Sequence, residues 1–491
     1  MRMWSVALLA AITVGLAMAF GTAAAAPRRP NVVILLADDL GWGRVGYNNP
    51  QVRTPHLDGL AREGVRLDNY YAMLNCSPTR AGLLTGRYPI RYGLQSSVVR
   101  PWDTDVGLPA AEVTLAEQLG AAGYRHRAVF GKWHLGHGRR EFHPLSQGFT
   151  DFFGHYNGFI DYYSHEREGE RDLHEGYGPA APDASGRYLT DLVEARAISF
   201  LAARGRDREA FLLYVPFLNP HAPIQDPPSA RDAYADLGDP QTRTHLRMVS
   251  AMDASVGRIL AALDKAGLAR DTIVIFASDN GGDPKLGGDN GPLRGGKGTA
   301  WEGGVRVPAL VRWPAGGLTG GRVITSRIAY VDWMPTILAA AGGPPCPNPL
   351  DGIDVMPLLK GAPDSGRPLF TMTGAERSES GEGGENARNP QEVTAVNEGG
   401  WKLTWRRWPS PEGPGAGWAR ESYALFHLAT DPFERTDVAA AHPEIVERLR
   451  DRLLAFRALE PDAGPKARPS FRAPPGFRPP PNWAVDGAAT R

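Results

Sequence analysis

The run Asn31-Val32-Val33-Ile34-Leu35-Leu36-Ala37, closed by Asp38-Asp39-Leu40-Gly41, decides the fold class of this chain. It is apolar and β-branched, with none of the polar alternation of a half-exposed strand. Such a run reads as a strand covered on both faces, the mark of a parallel sheet between helical layers. Glu209 to Phe217 and Asp271 to Ser278 read the same way. Between the runs lie helical patterns at Thr114 to Ala122 and Leu246 to Ala266. The second carries Met248, Met252, Val256, Ile259, Leu260 and Leu263 near helical spacing. Strands alternating with helices predict an α/β fold built on a mainly parallel mixed sheet sandwiched by helices.

The composition changes further along. From Pro344 to Gly400 the text is rich in Pro, Gly, Glu and Ser, including Glu376 to Gly384. Trp401 to Trp405 and Tyr423 to Leu428 are strand-like, Asp431-Pro432 marks a turn, and Pro443 to Leu459 has the pattern of an amphipathic helix. These features predict a large domain over 27–365, a small C-terminal α+β domain with an antiparallel sheet over 366–460, and a Pro-rich tail over 461–491. At the other end, Met1-Arg2-Met3-Trp4, the apolar run to Phe20 and Gly21-Thr22-Ala23-Ala24-Ala25-Ala26 read as a signal peptide over 1–26. The rival reading, an uncleaved anchor, has an apolar run near the lower limit for crossing a bilayer. The expected location is exported, periplasmic or secreted, without stable membrane insertion.

Lys+Arg and Asp+Glu balance at 54 each, so no global field points to nucleic acid. A charged substrate needs a local positive pocket instead. The chain has 491 residues and only two Cys, Cys76 and Cys346. In an exported protein a Cys76–Cys346 disulfide is the plain alternative to chemistry at Cys76, although a chain of this length can be held by its core without a staple.

Candidate chemistry sits where the strands end. Asp38-Asp39 follows the first run and Asp279-Asn280-Gly281-Gly282 follows Asp271–Ser278. In open α/β sheets ligands lie outside the carboxyl ends of the strands, so the four side chains are expected to face one crevice. Hard oxygen donors with net negative charge suit Ca²⁺, and Mg²⁺ less well. Read singly, each motif is equally an ordinary strand-end turn; the pair, each after a buried-type strand, favours a metal site. Cationic groups recur as well. Gly131-Lys132-Trp133-His134 puts Lys and His two residues apart, on one side of an extended segment. His221 stands between prolines in Asn219-Pro220-His221-Ala222-Pro223, and Lys297 lies in the Gly-rich stretch Arg294 to Gly304.

The stretch Cys76-Ser77-Pro78-Thr79-Arg80, continuing through Leu84-Thr85-Gly86-Arg87, resembles the signature of the type I sulfatases. The whole order from Asp-Asp through Gly-Lys-Trp-His, Pro-His-x-Pro, Asp-Asn-Gly and Lys-x-x-x-Trp-Glu-Gly resembles that family over Asn31 to Asp354. Leu425 to Asp437 is similar to a segment near the family's C-terminal end. The resemblance implies an alkaline-phosphatase-like catalytic domain over 27–365. It implies that a maturation enzyme converts Cys76 to formylglycine, and that Asp38, Asp39, Asp279, Asn280 and residue 76 hold Ca²⁺. Arg80 would orient the hydrated aldehyde, and Lys132 and Lys297 would neutralise the sulfuryl oxygens. His221 with Lys297 would serve the leaving oxygen, and His134 would take a proton so that the hemiacetal sulfate releases sulfate. The implied substrate is a small-molecule or saccharide sulfate ester.

Arg53 to Asp58, Leu67 to Tyr71 and Asp161 to Arg167 further resemble the arylsulfatase B branch, whose animal member removes the 4-sulfate of N-acetylgalactosamine. Two positions depart from the pattern: Arg44 where an acid is common, and Gly291 where that branch has Trp, at the substrate entrance. Two rival functions stay open: phosphonate or phosphate-diester hydrolysis on a related site, and non-catalytic binding of sulfoglycans should Cys76 remain a thiol.

Overall fold

The Asn31–Ala37 strand, β1, is the centre of the molecule. The protein is described by a computed structural model over residues 29–95, 98–230, 234–373, 392–410, 417–461 and 473–485. The expected signal peptide, Glu376–Gly384 and the rest of the expected tail lie outside these residues. Strand β1 is joined by β2 (Val65–Leu67), β3 (His126–Lys132), β4 (Asp151–His155), β5 (His174–Glu175), β6 (Gly178–Pro179), β7 (Phe211–Pro216), β8 (Thr272–Ser278), β9 (Ala309–Arg312) and β10 (Arg322–Ile324). They form one sheet in the order β10-β2-β9-β8-β1-β7-β3-β4-β5-β6. Its central stretch from β8 to β4 is parallel; outside it β9 pairs antiparallel with β8 and β2, and β5 with β4 and β6, while the edge strand β10 runs parallel to β2.

Both faces of the sheet are covered, as the lack of alternation in β1 predicts. Val32, Ile34 and Leu36 enter one core with Ala81, Leu84, Leu119, Trp333 and Ile337. Val33, Leu35 and Ala37 enter the other with Leu57, Leu60, Leu201, Met252 and Ile259. The first face is therefore capped by helices at Cys76–Thr85, Leu115–Ala121 and Trp333–Ala341, and the second by Pro55–Glu63, Leu189–Asp207 and Pro240–Lys265. The Leu115–Ala121 helix starts on a capping box, with Thr114 Oγ1 accepting from Glu117 N at 3.1 Å and Glu117 accepting from Thr114 N at 2.7 Å. The Pro240–Lys265 helix begins six residues before the expected Leu246. Asp239 caps it, Pro240 fills its first position, and these chain-start signals extend it beyond the apolar stripe.

The C-terminal part is a second, four-stranded antiparallel sheet of β11 (Leu369–Thr373), β12 (Glu392–Glu398), β13 (Trp401–Pro409) and β14 (Trp418–His427), in sequential order. β11 and β12 fall inside the Pro/Gly-rich stretch where composition alone predicts no strand. Leu369, Met372, Val393 and Ala395 join the core of the large sheet. Val396, Leu403, Trp405 and Leu425 pack instead on Leu449 and Leu453 of the Pro443–Arg457 helix. Cys76 and Cys346 are both free, so no disulfide joins them. No helix of the described residues is long and apolar enough to cross a membrane.

Residues 473–485 return across the large domain. Trp483 is buried, its Nε1–H donates to Arg167 O at 3.1 Å, and its ring meets His137 edge-on at 5.3 Å. Asn482 N donates to Glu170 Oε2 at 2.9 Å. Replacing Trp483 by Ala is expected to cost this contact about 3–5 kcal/mol. Amide exchange should then quicken at 166–171 and 473–485 while β1 stays protected; unchanged exchange at both segments would refute the docking.

Candidate active site

Parallel pairing sets Ala37 beside Ser278, so Asp38-Asp39 and Asp279-Asn280 leave neighbouring strand ends together. The exits are fixed by backbone bonds from Asp38 N to Asn219 O at 3.0 Å and from Asp279 N to Ala37 O at 3.1 Å. Asp39, in a left-handed conformation with φ 64°, donates its N–H to Asp279 Oδ1 at 3.2 Å. Asn280 Nδ2 donates to Asp39 Oδ1 at 2.7 Å. All four residues are buried. They meet at the adjoining ends of β1 and β8.

Cys76 opens the Cys76–Thr85 helix, and Arg80 follows at i+4, on the same helical face. Pro78 sits in the first turn, where a backbone N–H has no intrahelical partner to lose. Arg80 is completely buried; its Nε and Nη2 donate to Asp279 Oδ2 at 3.1 and 2.8 Å, and its Nη1 donates to Lys132 O at 3.0 Å. Thr79 Oγ1 donates to Asp279 O at 2.6 Å. The first turn of this helix is thus bonded to the end of β8.

Lys132 is the last residue of β3 and its ammonium bonds to the Asp38 carboxylate. The preceding Gly131 has φ 131°, and a Cβ there would lie 2.0 Å from Pro216 O, so only glycine lets β3 approach β7 this closely. Lys297 reaches Asp39 Oδ1 and Oδ2 at 2.7 and 2.8 Å. Its loop is pinned by Lys297 N to Gly282 O at 3.1 Å and Gly298 N to Leu74 O at 2.9 Å. His221 places Nε2 3.6 Å from Asp39 Oδ2, while its Nδ1 donates to Ala222 O at 2.7 Å.

The expectation that Lys132 and His134 share one side of an extended segment is corrected. The strand stops at Lys132 and His134 is left-handed, with φ 58°. The His134 Nε2–H donates to Val99 O at 2.9 Å, which leaves Nδ1 as a buried acceptor with no partner among the described residues.

Electrostatics tie the cluster together. Burial and the neighbouring Asp38 push the Asp279 carboxyl up to about 6, against the pull of Arg80. Burial also raises Asp39, but Lys297 and His221 overcome it and hold that carboxyl far below its usual range. Burial and Lys297 lower His221 to about 3, and burial with Lys132 and Arg80 drives His134 well below its usual value. The Cys76 thiol is raised by burial, opposed by Lys132 and Lys297. A buried thiol held protonated is a poor nucleophile.

The same cluster can hold a cation. Ligand atoms of Asp38, Cys76 and Asp279 lie within 4.8 Å of one another, as do those of Asp38, Asp39 and His221. Asp38 Oδ1 and Asn280 Oδ1 are buried without a hydrogen-bond partner among the described residues. Unpaired buried oxygens are costly, and a hard divalent ion satisfies such donors. The acidic cluster therefore fits a divalent metal.

A family model described as Sulfatase matches residues 30–343. The chain belongs to the sulfatase family. It is similar to mouse arylsulfatase J, 34% identical over 460 residues, covering 87% of this chain and 76% of that protein. Human arylsulfatase A is 35% identical over 483 residues, 89% of each chain, and human N-acetylgalactosamine-6-sulfatase 37% over 382 residues, 72% of this chain and 70% of that protein. The solved structure of Ps i-CgsB with k-i-k-neocarrahexaose superposes with a TM-score of 0.76 at 26% identity, covering 88% of this chain and 94% of the other. A phosphonate monoester hydrolase of Agrobacterium radiobacter, at 22% identity and a TM-score of 0.60, shares the fold. This sulfatase is accordingly a sulfuric ester hydrolase.

Sequence reasoning missed the groups that hold the sulfatase's charged side chains in place. Thr79 is one, and Ser278 is another: its Oγ accepts from Leu40 N at 3.0 Å and donates to Asn280 O at 2.8 Å. Asn290 is a third, accepting from Gly282 N and donating to Gly282 O at 2.8 and 2.9 Å. Short polar residues beside Asp and Gly motifs are the only signal, and turns supply the same signal everywhere. Arg44 takes an unforeseen role, donating from Nε and Nη2 to Gly287 O at 2.9 and 2.5 Å.

Arg80→Met removes the buried partner of Asp279 and leaves two neighbouring carboxylates undercompensated. The expected loss is about 3–5 kcal/mol of stability, measured by denaturant unfolding. A loss below about 1 kcal/mol, the value of an exposed pair, would show that Arg80 is not the main counter-charge.

Proposed function

We propose that this sulfatase hydrolyses sulfate monoesters with formylglycine made from Cys76 as nucleophile and Ca²⁺ as cofactor. Its substrates on this reading are aryl sulfates and a sulfated sugar such as N-acetylgalactosamine 4-sulfate. The observation that carries the reading is the meeting of Cys76 with Asp38 and Asp279 within 4.8 Å, at the mouth of a helix whose Arg80 is already spent on Asp279. A thiol is a soft, mismatched donor among hard oxygens, whereas an oxygen at position 76 completes the donor set. Asp38, Asp39, Asp279 and Asn280 would hold the ion. When present, the ion supplies Lewis acidity toward the sulfate oxygens and the hydrated aldehyde supplies the attacking hydroxyl.

The chain's own groups then have separable tasks. Lys132 and Lys297 put ammonium charges beside Asp38 and Asp39, where the sulfuryl oxygens would sit. A preorganised donor of this kind is worth about a hundred- to a thousandfold in rate. Arg80 keeps residue 76 and Asp279 in one geometry. His134, with its proton on Nε2 and a bare Nδ1, is suited to accept a proton. His221 and Lys297 flank Asp39 and would serve the leaving oxygen: Lys297 is already protonated, whereas His221, neutral with its proton on Nδ1, would do so only once Nε2 has gained a proton.

The arylsulfatase B-like reading rests on the sequence of Asp161–Arg167, a segment that packs beside His221. Tyr162 Oη donates to His221 O at 3.0 Å. Arg167 stacks over Phe159 at 3.8 Å, and Phe159 stacks on His221 at 5.6 Å. On this reading the segment would wall the leaving-group side. Gly291, exposed on the loop before Lys297, offers no side chain there, so the sugar and the sulfate position rest on the wall alone. Export to the periplasm or medium accompanies this reading, as does a maturation enzyme as partner.

Protein co-produced with a formylglycine-generating enzyme is expected to release sulfate from nitrophenyl sulfate and to lose activity on chelation, recovering with Ca²⁺. Cys76→Ala should lose essentially all turnover. Full activity from protein whose residue 76 peptide has the mass of an unmodified thiol would sink the mechanism. Faster cleavage of a phosphate diester than of any sulfate would favour the phosphonate-hydrolase alternative, and binding without turnover in the matured protein would favour the sulfoglycan-binding one.

His221→Ala should depress turnover of a sugar sulfate by a larger factor than that of nitrophenyl sulfate, because the poorer leaving group depends more on protonation. Equal losses on both substrates would move the acid role to Lys297.

A further inference from the structure

Lys297 stands on the loop between Arg294 and the short helix Glu302–Val305, and the far end of that loop is gripped by the C-terminal sheet. Glu302 N donates to Glu434 Oε2 at 2.6 Å, and Arg294 Nη1 donates to Glu434 O at 3.0 Å. The Lys402 ammonium on β13 lies 3.0 Å from Glu302 Oε1 and 2.8 Å from Glu434 Oε1. Tyr71 Oη donates to Glu302 Oε2 at 3.0 Å. Trp301 is stacked by Arg294 at 3.6 Å and Arg406 at 4.6 Å, and Phe426 meets it edge-on at 5.5 Å. Lys402, Arg406, Phe426 and Glu434 all come from the C-terminal sheet and the turn after it.

Glu302, Lys402 and Glu434 are almost wholly buried. Two carboxylates around one ammonium, out of water, are an inefficient way to gain stability; an apolar contact of the same volume does as well. What such a cluster does supply is direction, since each hydrogen bond admits one register. Glu434 is also held left-handed at φ 54°, a conformation that a non-glycine residue keeps only where its surroundings impose it. Glu434 therefore grips both sides of the loop, at Arg294 and at Glu302, with Lys297 between them.

We propose that Glu434 and Lys402 are positioning residues for sulfate-ester hydrolysis, acting through Arg294 and Glu302 to set the loop that presents Lys297 to Asp39. The proposal rests on the reading that Lys297 serves the sulfuryl group. It makes the C-terminal sheet part of the catalytic apparatus without contact with the substrate.

A double-mutant cycle in the full-length, matured protein tests it. Glu434→Gln keeps the volume and an acceptor but removes the charge that Lys402 reads. It is expected to lower kcat/KM for nitrophenyl sulfate about ten- to a hundredfold, the cost of a displaced catalytic group. In a Lys297→Ala background the same change should cost less than about twofold more, because its effect passes through Lys297. Losses that multiply in the double variant would overturn the proposal and leave Glu434 a structural residue. Glu434→Gln at wild-type activity, with Lys297→Ala impaired, would overturn it while sparing the reading of Lys297. Lys297→Ala at wild-type activity would remove that reading and the proposal with it. If Glu434→Gln does not fold, Lys402→Met, which removes the ammonium between Glu302 and Glu434, runs through the same cycle with the same outcomes.

Discussion

Three buried ion pairs across adjoining strand ends hold this molecule's working parts in one place: Asp38 with Lys132, Asp279 with Arg80, and Asp39 with Lys297. Each joins an acid at the exit of β1 or β8 to a base from a distant part of the chain. The bases come from β3, from the Cys76 helix and from a loop near residue 300. Removing these charges from water is expensive, so the pairs are stable only while every partner stays in register. The parallel pairing of β1 with β8 is therefore as much an electrostatic requirement as a packing one. A one-residue slip would turn Asp38 and Asp279 to opposite faces and strand the charge of Arg80.

Much of this was legible in the sequence, and the reason differs by element. β1, β7 and β8 were readable because burial on both faces forces a continuous apolar run, which few other environments demand. The Leu115–Ala121 helix was readable from its helical pattern over Thr114 to Ala122, whereas its capping box became visible only in the fold. Asp38, Asp39, Asp279 and Asn280 were readable as a group because topology fixes where strand ends meet. Other features leave only faint traces. The left-handed turn at His134 and the close approach of Gly131 to β7 are facts about the packed strands that a single strand's sequence does not encode. Strands β11 and β12 flank a polar, Gly-rich stretch whose composition hides them.

The Glu302–Lys402–Glu434 cluster was the least legible feature of all. Its members lie about a hundred and about thirty residues apart, at the start of a short helix, on β13 and in the turn after β14. Glu302 and Glu434 each fall within a recognisable motif, but neither motif carries its partner. An acid in a surface turn and the same acid in a closed ionic triad read identically in sequence. Only the docking of the second sheet on the first tells them apart, and that docking is made by the unremarkable apolar residues Leu369, Met372, Val393 and Ala395.

The charges also bear on the choice among related esters. Asp38, Asp39 and Asp279 are matched by Arg80, Lys132 and Lys297, so the six groups sum to nothing. A divalent ion would leave the site with a surplus of two positive charges. A sulfate monoester brings one negative charge and a phosphate monoester at neutral pH close to two. Charge alone would then favour the phosphate monoester, and it cannot separate a sulfate monoester from a phosphate diester, which also brings one. Discrimination must come from shape and from what surrounds the leaving group. The Arg167–Phe159–His221 stack is a planar, partly cationic surface suited to a ring face, and on the proposed reading it would lie on the leaving-group side. Gly291 is exposed and offers no side chain. On the proposed reading the strand-end cluster would supply the charge that these esters have in common, and the Phe159–Arg167 segment, which belongs to no strand of the main sheet, would bear on the choice among them.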